Sequence, residues 1–222
     1  WQASHGRQAF HRGPTKIRSK YYSENCPLLA YVQHRQYFDM YLRGERPFPW
    51  ELPPTKLPTE DHLDVFIGGL AEQWIEDCQA DEPFYLQVNF GGPHDPWDAP
   101  PEYRARYNPD EMPLSLREAG TGPKSPHVEL LLKYAPNKLD QMGTAQNQLM
   151  KANYYSKVTL IDDCIGGIVR KLEERNLLNN TWIVFSSDHG EMLGDHGLLA
   201  KKVFYDAAVN VPCLFRAPHG QG

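Results

Sequence analysis

Six apolar residues at helical spacing constrain this chain more than anything else in it. Tyr154, Val158, Ile161, Ile165, Ile168 and Leu172 recur at steps of 4, 3, 4, 3 and 4. Such a stripe lies on one face of a helix, and that face must pack on something. The pattern predicts a helix over about residues 146–175. Gly166 and Gly167 in its middle each cost roughly 1 kcal/mol of helix propensity against alanine, which close approach of another backbone would justify. A second stripe, Leu63, Phe66, Ile67, Leu70, Trp74, Ile75 and Cys78, predicts another helix. Thr59 is its expected cap, with Glu60 and Asp61 in the positive first turn.

Between and after these helices come short apolar runs. Phe84–Phe90, Thr181–Phe185 and Val211–Phe215 read as buried strands, rich in β-branched and aromatic residues. Asn176–Asn180 is the turn before the second of them. Helices alternating with buried strands predict an α/β fold with a mixed, largely parallel sheet sandwiched between helices. In such sheets ligands bind beyond the carboxyl ends of strands. The residues after Phe90 and after Phe185 are therefore the expected site of any chemistry.

Residues 1–60 resist a periodic reading. Basic and aromatic residues alternate without a clean period, and Pro47, Pro49, Pro53, Pro54 and Pro58 punctuate an extended segment. The expected organisation is an irregular, proline-rich segment over 1–60 and the body of the α/β domain over 61–222. Between about 109 and 144 four more prolines deny any long helix. Nineteen prolines and twelve tyrosines in 222 residues suggest long, structured loops.

A net charge of −5 gives no reason to expect nucleic acid as a partner. No apolar run approaches the roughly 20 residues needed to span a bilayer. The first residues do not resemble a signal peptide, and a start at Trp1 suits a piece of a longer polypeptide. The four cysteines, at 26, 78, 164 and 213, form no C-x-x-C pair, so a zinc ribbon or thioredoxin-like motif is not expected. Cys78 and Cys164 fall on or beside helical stripes, where a buried thiol is the plain reading. Asn179-Asn180-Thr181 matches a glycosylation sequon, but its plainer reading is the turn before a strand.

Two loops carry chemistry. In Phe90-Gly91-Gly92-Pro93-His94-Asp95-Pro96-Trp97, two glycines permit close backbone approach and two prolines stiffen the chain around His94. A histidine so placed can hydrogen-bond an oxyanion or transfer a proton. The bland alternative is a loop histidine satisfied by a backbone carbonyl.

The other loop, Ser186 to Gly197, places Asp188 beside His189, a hard carboxylate oxygen next to an imidazole nitrogen. A turn can bring both onto one cation, with calcium, manganese and zinc all chemically suitable. Two ligands are too few, so others must come from elsewhere. Alternatively, Asp188 caps the turn and His189 is merely exposed. Downstream, Lys201 could neutralise charge on a substrate oxyanion or leaving group, although a Lys-Lys pair is usually a solvated face.

Taken together these segments resemble the sulfatases of the alkaline phosphatase superfamily. F-G-G-P-H-D-P-W-D-A-P-P over 90–101 is similar to the family's P-H-x-P loop. The S-D-H-G-E-M-L-G-D-H-G segment with its following lysine, and V-P-C-L-F-R-A-P after it, resemble the second conserved block. The resemblance implies an alkaline-phosphatase-like fold, of which this chain is the C-terminal portion. It further implies that Asp188 and His189 ligate a divalent metal, usually Ca2+, and that His94 and Lys201 contact the sulfate and act in catalysis. Asp195 and His196 are expected in supporting roles. The implied partner is a small-molecule sulfate ester.

Some of the family's pattern is missing. The family's nucleophile is a formylglycine made within C/S-x-P-x-R; Cys26-Pro27-Leu28-Leu29-Ala30 does not fit it, and neither does Cys213-Leu214-Phe215-Arg216. The strand with paired aspartates and the G-K-W-H-type segment are absent too. The implied activity is thus sulfate ester hydrolysis with the formylglycine supplied outside this chain. A phosphonate monoester or phosphodiester hydrolase of the same superfamily would use the same residues. A catalytically silent, metal- or anion-binding fragment is the reading from another class.

Overall fold

The computed structural model describes residues 54–55, 58–116, 123–134, 139 and 142–219. The expected irregular segment over 1–60 lies almost wholly outside them. In chain order the regular elements are α1 (Leu63–Asp77), α2 (Pro101–Arg104), α3 (Pro126–Tyr134), α4 (Thr144–Glu174), β1 (Ile183–Ser186), α5 (Asp206–Val209) and β2 (Cys213–Arg216), with short 3-10 turns between. The chain divides into two compact units. One comprises Trp1–Arg106 with Asn153–Thr181, the other Tyr107–Ala152 with Trp182–Gly222.

In the first unit both predicted stripes are helices. The long one, α4, runs Thr144–Glu174, within two residues of the predicted span, and its residues from 153 onward belong here. Gly68 on α1 lies against Cys164, whose Cβ would be 3.0 Å from a Cβ added at Gly68. At Gly167 the neighbour is the Glu72 carboxylate, so a side chain rather than a backbone makes the approach expected there. Arg175 Nη2 donates to the Cys78 carbonyl at 3.0 Å, and the same side chain donates to the Glu76 carbonyl, tying the ends of both helices. Ala99, Tyr103 and Leu160 form a small buried cluster with Val65 against it. Cys164 is buried and Cys78, at the α1 C-cap, is partly so.

The cap of α1 differs from expectation. Thr59–Asp61 forms a separate 3-10 turn, and the Thr59 hydroxyl donates to Glu102. His62 is the N-cap, its Nδ1 accepting from the Asp64 N–H at 3.3 Å. An imidazole nitrogen does here what a hydroxyl usually does, and it does so while fully buried.

In the second unit β1 and β2 pair antiparallel, Ile183 opposite Arg216 and Ser186 opposite Cys213. Val128 of α3 packs with Met192, Leu198, Val203 and Ala208 in the unit's core. The sequon residues Asn179 and Asn180 lie in a 3-10 turn of the first unit, just before β1. That is the turn their sequence suggested.

The sheet departs from the expected sandwich. Among the described residues it has two strands, antiparallel, and Phe84–Phe90 is in no strand. A pleated segment becomes a strand only when a neighbour takes up its N–H and C=O groups. The ribbon is also open to solvent: Val184 is 60% exposed, Leu214 63% and Phe215 68%. Apolar composition pointed to the two strands that pair here and also to Phe84–Phe90, which does not; it carries no information on strand direction or on what covers a strand.

Candidate active site

The first loop is held at both ends. Gly91 and Gly92 each donate their N–H to Asp64 Oδ1 at 3.0 Å. Beyond, the buried Trp97 indole donates to the Pro93 carbonyl at 3.0 Å, and its ring meets Tyr154 edge-on at 5.7 Å. His94 stands between these anchors, exposed, with Nδ1 2.8 Å from Asp95 Oδ1 and 3.0 Å from the Asp95 carbonyl. Asp95 thus fixes Nδ1 as the protonated nitrogen of the neutral ring, which leaves the lone pair on Nε2. The carbonyl contact of the bland alternative is present. So is a carboxylate that orients the ring.

The second loop leaves the end of β1, and Asp188 and His189 are turned onto one side of it. His189 Nε2 is 3.6 Å from Asp188 Oδ2, while His189 Nδ1 is 2.9 Å from the Gly190 carbonyl. The carbonyl can only accept, so Nδ1 carries the proton and Nε2 presents its lone pair toward a carboxylate oxygen. Two acceptors facing each other suit a cation between them. Donors bound at right angles to one calcium, each about 2.4 Å away, would be roughly 3.4 Å apart. The backbone here is fixed as well: Ser187 Oγ donates to the His189 carbonyl at 2.8 Å and the Gly190 N–H to Ala208 O at 2.8 Å. Gly190 is required, because a Cβ there would run into the Ala207 carbonyl. Among the described residues no group of three or more potential metal-binding side chains occurs, so the pair accounts for only part of a coordination shell.

Lys201, partly buried, sits in a bend whose neighbours are pinned. Ala200, at φ 65°, donates its N–H to Glu191 Oε1 at 2.5 Å, and its carbonyl accepts from the Met192 N–H at 3.0 Å. The Lys202 carbonyl is 2.8 Å from His127 Nε2. Leu198 and Val203, on either side, are core residues. Glu191 thus holds the backbone beside Lys201, a contact that residue chemistry alone did not single out; its place in the acidic motif was the available signal. Asp195, further along the motif, makes contacts within the second unit. Its Oδ1 accepts the Leu116 N–H at 2.9 Å and lies 3.9 Å from Lys151 Nζ, whose pKa burial lowers and Asp195 partly restores. His196, at φ 56°, rests against the Tyr205 ring at 4.7 Å.

The structure thus brings the Asp188 and His189 side chains together, and it places Lys201 on an anchored bend of the same unit. His94 belongs to the other unit.

Comparison with known proteins defines the class first. The phosphonate monoester hydrolase SpPMH from Silicibacter pomeroyi superimposes with a TM-score of 0.64 at 28% identity, over 79% of this chain and 36% of that one. The multifunctional alkaline phosphatase superfamily protein PehA of Trinickia caryophylli is 27% identical over 175 residues, covering 73% of this chain and 34% of PehA. Fold and sequence thus place the chain in the alkaline phosphatase superfamily. Within it, human iduronate 2-sulfatase is 31% identical over 193 residues, 76% of this chain and 34% of that enzyme. The sulfatase family model matches residues 8–222, and the chain belongs to the sulfatase family. It spans about a third of the length of the curated relatives it matches.

Proposed function

We propose that these residues form the C-terminal part of the catalytic domain of a sulfuric ester hydrolase, the rest of whose active site is supplied outside this chain. The observation that carries the reading is the facing of Asp188 Oδ2 and His189 Nε2 at 3.6 Å, with the other imidazole nitrogen committed to Gly190. In this reading Asp188 and His189 hold a divalent cation, with Ca2+ favoured by the hard carboxylate and Mn2+ or Zn2+ compatible with the imidazole. The cation and a formylglycine from outside the chain supply charge stabilisation and the nucleophile.

The chain's own residues then do the following. Asp188 gives the cation site its negative charge, and His189 contributes a neutral nitrogen of fixed tautomer. Lys201 places an ammonium where charge develops on a sulfate oxygen and on the departing alkoxide. His94, its ring oriented by Asp95, offers Nε2 as a hydrogen-bonding partner or proton carrier. The exposed apolar ribbon of β1 and β2 is covered by the remainder of the domain in the intact enzyme, since two strands alone are marginal in water.

The likeness to a phosphonate monoester hydrolase supports a second reading, in which the tetrahedral centre is phosphorus. Steady-state kinetics of the full-length enzyme separate the two. A kcat/KM at least tenfold higher for an aryl sulfate than for an aryl phosphonate monoester is expected. The reverse order would assign the chain to phosphonate or phosphodiester hydrolysis.

A further inference from the structure

Behind the His94 loop lies a buried charged cluster that the proposed chemistry does not use. Asp64, in the first turn of α1, is 1% exposed and Lys157, on α4, 4%. Lys157 Nζ is 3.3 Å from Asp64 Oδ2, 3.7 Å from Asp98 Oδ1 and 3.2 Å from His62 Nε2. Burying such a pair is a poor route to stability, because desolvation offsets most of the attraction and an apolar pair of equal volume often does as well. What an apolar pair cannot do is accept hydrogen bonds. Asp64 Oδ1 accepts two, from the consecutive N–H groups of Gly91 and Gly92.

The glycines are shaped to this contact. A Cβ on Gly92 would lie 2.6 Å from Asp64 Oδ2, 2.9 Å from Ile161 Cδ1 and 3.2 Å from Lys157 Cε. The backbone thus comes as close to the carboxylate as only glycine allows. His94 follows two residues later, and the next anchor is the Trp97 indole on the Pro93 carbonyl.

We propose that Asp64 is a positioning residue for His94: its carboxylate clamps the Gly91 and Gly92 amides and so fixes where the His94 ring stands. Lys157 keeps that carboxylate charged inside the protein, which makes each N–H contact a charge-assisted hydrogen bond. The assignment rests on the reading of His94 as a substrate-contacting group.

Kinetics of the full-length enzyme on an aryl sulfate test it, using Asp64→Asn, His94→Ala, Gly92→Ala and the doubles of Asp64→Asn and Gly92→Ala with His94→Ala. Asp64→Asn keeps an oxygen for the two N–H groups but removes the charge that strengthens both contacts and sets an amide donor against the Lys157 ammonium. It is therefore expected to lower kcat about tenfold with KM changed less than twofold. On the His94→Ala background it should lower kcat no further, because residues acting through one another are not additive. Gly92→Ala should reproduce both results without altering any charge, and it serves if Asp64→Asn does not fold. Losses that multiply in the doubles, or an unchanged kcat in a folded Asp64→Asn enzyme, overturn the proposal while leaving His94 in place. A wild-type kcat in His94→Ala removes the reading of His94, and the proposal with it.

Discussion

His189 Nε2 faces Asp188 Oδ2 across 3.6 Å, with the ring's other nitrogen 2.9 Å from the Gly190 carbonyl. The two side chains are neighbours in sequence at the end of β1, where a continuing strand would send them to opposite faces. The turn at Gly190, whose N–H bonds Ala208 O, removes that alternation. If the pair holds a cation, replacing Asp188 by alanine removes its anionic ligand. The kcat of the full-length enzyme on an aryl sulfate should then fall by about 10³-fold, matching the several kcal/mol such an ion supplies. Circular dichroism should show the fold retained.

Lys201 is positioned from behind by Glu191, through the Ala200 N–H. Glu191→Ala deletes that acceptor and frees the bend. With Lys201 in the role proposed for it, the expected outcome is a 10- to 100-fold loss in kcat, on the order of what a small misplacement of such a group costs. Glu191→Gln keeps an oxygen for the same N–H and should retain most of the activity. Equal losses in the two variants would assign Glu191 a role through its charge instead.

The described cysteines should differ sharply in reactivity. Cys213 is exposed, whereas burial, reinforced by the Asp64 carboxylate, pushes the Cys164 thiol up to about 12. The thiolate is the nucleophile toward maleimides, so Cys164 stays protonated and shielded at pH 8. In the 222-residue chain by itself, peptide mapping after brief labelling should find Cys213 modified and Cys164 untouched until denaturant is added; in the intact enzyme, where the ribbon is covered, Cys213 should be protected as well.

Alkali should loosen the first unit. Burial, then the Asp163 carboxylate accepting its hydroxyl, pushes Tyr103 up to about 12 from 10.0. Cys164 moves the same way from 9.0. Both groups hold their protons in the folded chain and lose them earlier in the unfolded one. Their contribution is therefore complete below about pH 9 and is lost as pH rises toward 12. Asp64 behaves oppositely: burial resists its charge, but Lys157, His62 and the Gly92 N–H together hold its pKa below the ordinary carboxylate value. Its contribution is present above that value and disappears as pH falls below it. Thermal unfolding midpoints of Tyr103→Phe and wild type should differ in their pH dependence between 9 and 12, with the phenylalanine variant the flatter.

How much of this was legible in the sequence depended on how local each feature is. The stripe from Tyr154 to Leu172 fixed α4 to within two residues, because helical spacing is a property of the segment itself. Asp188, His189 and Lys201 could be singled out in the sequence because the motif that carries them is contiguous. The cap of α1 was misplaced because the sequence offered Thr59, a favoured capping residue, while the structure uses the buried His62. Phe84–Phe90 has the composition of a strand, but pairing is a property of two segments and not of one. Asp64 could not have been found from its neighbours in sequence: its meaning comes from Gly91 and Gly92, more than twenty-five residues away, and from Lys157.

The claim on which the account depends is that Asp188 and His189 hold a divalent cation, and metal content tests it most directly. Elemental analysis of the purified full-length enzyme should find one tightly held divalent ion per chain. Folded Asp188→Ala and His189→Ala variants should each carry less than about a tenth of it, because losing one ligand weakens such sites by orders of magnitude. A stoichiometric ion retained in both variants would contradict the account.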